Sequence, residues 1–495
     1  MKKEERPAIR SLPSGVPGLD AVLGGGLPEY SFNLIAGGPG SGKTTLAHQI
    51  IFANASVARP ALYFTVLGEP AIKMLRYQRQ FDFFDLDLAG SAIQFINLSA
   101  EVMDGDLDAV LQRIVSETER TKPGIVVVDS FRTISGSPGS SMRGTTFDID
   151  RFIQRLAHHL TTWEVTSFLL GEYATEEQRS PVFTVADGVL WLAQATDRNS
   201  VVRKIQVLKE RGRAPMPGLH TFRITNDGLQ VFPRIPEQTQ KRALAKRERQ
   251  PTGVPGMDEM IGGGIIAGDA VLLTGPAGSG KSTVATQFMV AGLSQGENGV
   301  IAVFEEYPEE YIARASARNP DIAKMLKAGK LEIIYLRPLD LSVDETLFSI
   351  LEAVGRLGAK RVVIDSLSGF EVALAPTFRE DFRESLYRLV GTLTATGVTV
   401  FMTAEVSEAF REARFTSENV SFITDEIIVQ RYVEIEGALG RVMAVIKMRG
   451  SEHSHEFRRY EVTPKGVVVG DALKEYDGII TGVPTLRAKP KRARN

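Results

Sequence analysis

Two stretches of this 495-residue chain join glycine-rich loops to a lysine and a hydroxyl. They read GGPGSGKT at Gly37–Thr44 and GPAGSGKS at Gly275–Ser282. Each has a glycine, four residues, then Gly-Lys-Thr or Gly-Lys-Ser, the phosphate-loop pattern. Each follows an apolar run that reads as a buried strand and precedes a proline-free run that reads as a helix. In that setting the glycines let the backbone close around phosphate oxygens, and the first N–H groups of the helix point at them. Gly38, Gly40, Ser41, Gly42, Lys43, Thr44 and Thr45 are expected to line the first site, and Ala277, Gly278, Ser279, Gly280, Lys281, Ser282 and Thr283 the second. Lys43 and Lys281 would neutralise the outer phosphates. The hydroxyls of Thr44 and Ser282 would hold Mg²⁺. The expected cofactors are ATP and Mg²⁺.

Phosphate chemistry needs three more groups. The first is an acid at the end of a buried strand, within reach of the metal's water shell. Asp129 ends Ile125-Val126-Val127-Val128, and Asp365 ends Arg361-Val362-Val363-Ile364. The second is a base. Glu305 and Glu306 close the strand-like Val300–Phe304 and can place a carboxylate at the γ-phosphate. In the first half the corresponding stretch is TVLGEP, where Leu67 and Gly68 replace the pair and Glu69 falls one place late. The third is a cation opposite the γ-phosphate. Lys447 and Arg449, like Lys209 and Arg211, are two residues apart, so on a strand they would share a face. Such a pair suits a finger supplied by a neighbouring subunit.

The elements that must position these groups occur twice. Lys43 and Lys281 are 238 positions apart, as are Asp20 and Asp258 in SGVPGLDAVLGGGLP and TGVPGMDEMIGGGII, and Arg211 and Arg449 in LKERG and IKMRG. An offset kept over such a span implies two whole domains in tandem. They are expected at 1–232 and 251–485, joined by a polar, basic linker at 233–250 and followed by a basic tail at 486–495. Within the first copy, apolar runs at Ala61–Val66, Ala92–Leu98, Gly124–Asp129 and Val165–Gly171 alternate with helical stretches at Asp106–Arg120 and Phe147–Thr161. This alternation predicts an α/β fold, a mostly parallel sheet with helices on both faces. Val182–Leu192, Val202–Lys209 and Thr221–Thr225 follow with short connections and predict an antiparallel extension. Phosphates are expected at the carboxyl ends of the parallel strands.

Composition narrows the function classes. Hydrophobic residues make up 43% and charged residues 24%, as in ordinary globular proteins. The net charge of −2 supplies no global field toward nucleic acid or membrane. No apolar run approaches the roughly 20 residues that span a bilayer. There is no cysteine, so disulfides and Cys-ligated zinc are excluded, and a cytoplasmic location is expected. His453 and His455 stand close together, but no carboxylate or histidine array completes a metal site around them.

Three further stretches are distinctive: FEEYP at Phe304–Pro308, VSFITDEIIVQRYVEI at Val420–Ile435 and VIKMRGSEH at Val445–His453. With the two phosphate loops, they make the chain resemble the KaiC family of RecA-like ATPases over nearly its whole length. The resemblance implies two tandem RecA-like domains and a homohexamer of two stacked rings with ATP between subunits. It implies slow ATPase activity in the N-terminal ring, and Ser/Thr autokinase with autophosphatase activity in the C-terminal ring. It makes Glu305 and Glu306 the catalytic pair, and Lys447 and Arg449 the residues that reach a neighbour's ATP. Ser421 matches the first phosphoacceptor. Phe422 stands where the second would be and cannot carry phosphate, and Thr424 matches an accessory position. A one-site switch at Ser421 is therefore expected. In the first copy, Phe183, Thr184 and Ala186 hold the positions of Ser421, Phe422 and Thr424, so no such switch is expected there.

The leading function is a signalling or timing ATPase with C-terminal autokinase activity, with signalling proteins as partners. The competing readings are a nucleic-acid motor or recombinase on the same fold and a scaffold that nucleotide merely assembles. The near-neutral charge, and the lack of a basic, aromatic-rich loop for single strands, argue against nucleic acid.

Overall fold

The computed structural model describes residues 9–65, 71–103, 106–129, 146–173, 182–197, 200–234, 248–336, 341–374, 382–406, 423–435, 437–479 and 484–487. Glu69, Ser421, Phe422, most of the 233–250 stretch and most of the tail lie outside them. The chain divides into two compact units, Met1–Arg234 and Ile235–Asn495.

Nine strands form the main sheet of the first unit. In chain order they are β1 (Phe32–Gly37), β2 (Ala61–Thr65), β3 (Ile93–Asn97), β4 (Ile125–Asp129), β5 (Thr166–Glu172), β6 (Gly188–Asp197), β7 (Ser200–Glu210), β8 (His220–Thr225) and β9 (Gly228–Phe232). The second unit repeats them as β10 (Ala270–Gly275), β11 (Gly299–Val303), β12 (Leu331–Tyr335), β13 (Arg361–Asp365), β14 (Thr399–Glu405), β15 (Glu426–Ile435), β16 (Ala438–Met448), β17 (Arg458–Thr463) and β18 (Gly466–Ala472). The spatial order is β9-β8-β7-β6-β1-β5-β4-β2-β3 in one and β18-β17-β16-β15-β10-β14-β13-β11-β12 in the other, which is the same topology twice.

Parallel strands covered on both faces need continuous apolar runs. Ile125 to Val128 supply one, and alternate residues feed opposite cores: Ile125 and Val127 pack beneath the phosphate-loop helix, Val126 and Val128 beneath the helices on the other face. Helix α1 (Lys43–Asn54) covers one face; α2 (Leu107–Thr121) and α3 (Thr146–Thr162) cover the other. Asp106 starts α2 by accepting the Ala109 N–H at 2.9 Å. In the second unit, α4 (Lys281–Ser294) takes the place of α1.

The repeated SGVPGLD and TGVPGMD segments have the same structural job in each unit. Asp20 accepts the Ser14 N–H, and Asp258 the Thr252 N–H, both at 2.9 Å. Gln49 ties Gly15 to Leu229 just as Gln287 ties Gly253 to Val467. Gly18 and Gly256 have φ of 80° and 79°, and a Cβ there would strike the carbonyls of Val231 and Val469.

One expected extension strand is corrected. Val182–Leu192 is not a single strand: Val182–Val185 is a helical turn, and the strand begins at Gly188. That strand runs parallel to β1 and antiparallel to β7. The chain crosses over before Gly188 and enters from the same end as β1. Direction reverses only at the hairpin from Asp197 to Ser200.

Candidate nucleotide sites

Each phosphate loop leaves the carboxyl end of a central strand, β1 or β10, and enters a helix through a left-handed glycine. Gly42 has φ 101° and Gly280 φ 97°, values that L side chains rarely adopt. The first loop is open where phosphates would sit: a Cβ on Gly38 or Gly40 would meet nothing within 4 Å, whereas one on Gly278 in the second would come to 3.2 Å from the Tyr432 hydroxyl. The Ser41 and Ser279 hydroxyls are buried and have no hydrogen-bond partner among the described residues. A buried orphan hydroxyl beside an open backbone cradle fits a loop built for an anionic guest. Lys43 Nζ donates to the carbonyls of Gly37 (3.0 Å) and Gly38 (2.7 Å). Lys281 Nζ donates to those of Gly275 (2.9 Å) and Pro276 (2.8 Å). Burial lowers both ammonium pKa values, and nearby carboxylates partly oppose it: Glu172 and Asp129 for Lys43, and Glu405, Asp365 and Glu305 for Lys281.

Each strand-end aspartate lies against the hydroxyl of its phosphate loop. Thr44 Oγ1 donates to Asp129 Oδ2 at 3.0 Å, and Ser282 hydrogen-bonds to Asp365. Burial raises the pKa of both carboxyls, against the pull of these hydrogen bonds. A divalent cation on such a hydroxyl and carboxylate would remove that penalty, so the donor sets of Thr44 with Asp129 and of Ser282 with Asp365 fit Mg²⁺.

In the second unit a cavity of about 340 Å³ opens over the loop. Lys281, Ser282, Glu305, Arg314, Arg318, Asp365, Ser366 and Glu405 supply its polar wall. Glu305 accepts from the Ser366 hydroxyl at 2.7 Å, and that same hydroxyl accepts the Gly369 N–H, so Glu305 is held by the residue that follows Asp365. Glu306 is not part of this wall and pairs with Arg314 instead. The adjacent carboxylates thus have separate partners.

Lys447 and Arg449 do not line this cavity. They sit at the other end of the sheet. Asp425 accepts the N–H of Ala270, the first residue of β10, and its main-chain oxygen accepts the Arg449 N–H. Lys447 Nζ donates to the Thr424 carbonyl at 2.6 Å, and the Arg449 guanidinium lies 3.7 Å from the Asp425 carboxylate. The first unit repeats this with Lys209 on Thr184 and Arg211 on Asp187 at 3.0 Å. β16 ends at Met448 and β7 at Glu210, so each arginine lies one residue past its strand, placed by the aspartate. Thr424 is fully buried, and its hydroxyl has no hydrogen-bond partner among the described residues.

Sequence reasoning missed Ser366, Arg314, Arg318 and the two acids Glu172 and Glu405. The acids were legible: each closes the apolar run that pairs with a phosphate-loop strand, opposite Gly37 or Gly275.

The sequence pattern of the KaiC ATPase matches residues 12–235 and again 250–474. The chain belongs to the KaiC ATPase family. It is 29% identical over 489 residues to the circadian clock oscillator protein KaiC of Picosynechococcus sp., covering 96% of this chain and 92% of that one. The KaiC of Thermostichus vulcanus is 28% identical over 488 residues, with 96% and 92% covered. Circadian clock protein KaiC3 of Synechocystis sp. is 27% identical over 501 residues, with 99% and 97% covered. The KaiC match spans both phosphate loops, and the two sheets share one strand order. Among the described residues no helix is long and apolar enough to cross a membrane.

Proposed function

We propose that this KaiC-family ATPase binds Mg-ATP at both loops, assembles as a homohexamer, and phosphorylates its own Ser421 in the C-terminal domain as a signalling or timing switch. One observation carries the reading. The segment leading to Thr424, with Lys447 and Arg449, is anchored at the amino end of β10, whereas Lys281 leaves its carboxyl end. Five residue steps at ~3.3 Å put these ends about 17 Å apart. Thr424, Lys447 and Arg449 are thus held away from their own chain's loop. A second subunit presenting this edge to the first one's loop would join acceptor, cations and nucleotide.

In that arrangement Glu305 takes the Ser421 hydroxyl proton. The Ser421 oxygen bonds to the γ-phosphorus, the bond to the β–γ bridging oxygen breaks, and ADP leaves. Ser366 holds Glu305 for the transfer, Lys281 draws charge from the outer phosphates, and the neighbour's Lys447 and Arg449 face the leaving side. Mg²⁺ held through Ser282 and Asp365 would screen the phosphate charge. Thr424 is the weaker acceptor because its hydroxyl is buried. With water in place of Ser421, the same groups hydrolyse ATP. The names of the relatives support a role in timing.

The test is phosphosite mapping by mass spectrometry after incubation with Mg-ATP. Phosphate on Ser421, absent in Glu305→Gln, supports the reading. An intact mass that stays unphosphorylated while ATP is consumed would sink the kinase assignment.

A further inference from the structure

The segment after the glutamate pair reads YPEEYIARASAR, and it forms helix α5 (Pro308–Arg318). Pro308 occupies the first turn, where its missing N–H costs nothing. Tyr311 and Ala315 are buried and fix the rotation of the helix. Arg314 and Arg318 are four residues apart, so they share one face. That face is the wall of the C-terminal cavity, with Lys281, Ser282 and Asp365 opposite.

Arg314 is held in place rather than solvated. Its Nη2 pairs with Glu306 Oε1, and its guanidinium carbon lies 4.9 Å from the centre of the Tyr311 ring. The Tyr311 hydroxyl is within 3.0 Å of Thr286 Oγ1, on the phosphate-loop helix α4. Arg318 adds a second guanidinium whose buried Nε has no hydrogen-bond partner among the described residues. Among the described residues the N-terminal domain shows no such wall. At the same offset it has Arg76 and Gln80, both exposed, and Gly68 replaces Glu306.

We propose that Arg314 is a phosphate-binding guanidinium supplied by the subunit that also holds the nucleotide, and that Glu306 is its positioning carboxylate rather than a second base. Its ligand is the terminal phosphate of a nucleoside triphosphate. The C-terminal site therefore favours triphosphate over diphosphate before any neighbour contributes Lys447 or Arg449. The N-terminal site, without a held arginine, favours it less. This rests on the reading of the cavity as a nucleotide site.

The test measures binding of fluorescent ATP and ADP analogues to the full chain carrying Lys43→Ala, which silences the N-terminal site. A charge-assisted contact to phosphate predicts that Arg314→Ala weakens ATP binding by about 10- to 100-fold and ADP binding much less. Retained ADP binding also shows that the variant is folded. Arg314→Lys restores part of the loss. Glu306→Gln weakens ATP in the same direction, and adding it to Arg314→Ala costs nothing more, because both remove one interaction. An unchanged ATP-to-ADP preference in Arg314→Ala would overturn the inference and leave the nucleotide site standing. Loss of turnover with unchanged binding in Glu306→Gln would overturn it too, by making Glu306 a base. If no ATP binding sensitive to Lys281→Ala is found, the nucleotide reading fails, and the inference with it.

Discussion

Tyr63 donates its phenolic proton to Asp129 Oδ2 at 2.6 Å, on the same oxygen that accepts the Thr44 hydroxyl. The tyrosine is fully buried on β2 and stacks on His48 at 4.6 Å between ring centres. The C-terminal domain solves the same problem differently. There Thr403, on β14, donates to Asp365 Oδ1 at 2.6 Å, and Ile301 holds the place of Tyr63. Both devices steady a buried carboxylate beside the phosphate loop. Tyr63→Phe removes the donor and keeps the ring. In a chain with the C-terminal site silenced by Lys281→Ala, it is expected to raise the Mg²⁺ concentration needed for half-maximal ATPase several-fold, by about the ~1 kcal/mol of one hydrogen bond. An unchanged Mg²⁺ dependence would show that Asp129 needs no such support.

The cross-subunit arrangement predicts complementation. Lys281→Ala chains bind no C-terminal nucleotide, and Lys447→Ala chains offer no cation to a neighbour. Each alone is expected to lose Ser421 phosphorylation. Mixed before assembly, they should regain a fraction of it, because some interfaces pair an intact loop with an intact edge. Equal loss in the mixture would place both residues in one subunit's site.

Arg361 predicts a stability effect confined to the C-terminal domain. Its side chain is buried at the start of β13, where it bonds to Glu297 (2.5 Å) and to the carbonyls of Phe288 (2.6 Å) and Pro251 (2.9 Å). Arg361→Ala strands a glutamate and two carbonyls and opens a cavity. Losing one partner of a buried pair costs about 3–5 kcal/mol. Thermal unfolding should show one transition moved sharply down. The other, from the N-terminal domain, should stay near its wild-type position.

Two buried groups, one in each domain, are expected to give opposite pH responses. Burial pushes the His48 pKa down to about 3, from 6.5. The unfolded chain therefore binds a proton between these values that the native domain refuses. The His48 contribution to N-terminal stability is full above pH 6.5 and is lost as pH falls toward 3. Burial raises Glu426 from 4.5 to about 8. Here the native domain keeps a proton that the unfolded chain releases, so C-terminal stability is full below pH 4.5 and is lost as pH rises through about 8. Denaturant midpoints against pH should show both slopes, with His48→Phe flattening the first and Glu426→Gln the second. Slopes unaltered by the two substitutions would assign the pH response to other groups.

Much of this was legible along the chain because the information is local. A phosphate loop needs its glycines, lysine and hydroxyl in one stretch, and the buried strand before Asp365 must be apolar at every position. The repeat was legible because both domains kept nearly constant spacing, so Asp187 and Asp425 perform one task 238 residues apart. A two-residue period says nothing about where a strand stops, and β16 stops at Met448, one residue before Arg449. The reading of Val182–Leu192 failed because apolar residues in a helical turn and in a strand look alike over so few positions.

The sequence by itself determined that there are two KaiC-type ATPase domains, where each phosphate-loop motif lies, and which aspartate closes the buried strand beside it. Those facts follow from periodicity and short motifs. Tertiary structure alone decided the partners of the glutamate pair. Glu305 and Glu306 are neighbours in sequence, yet one turns into the cavity toward Ser366 and the other onto Arg314. It also decided that Lys447 and Arg449 stand at the far end of β10 from Lys281. Such relations depend on strand order and helix rotation, which bring together residues whose separation along the chain carries no trace of the contact.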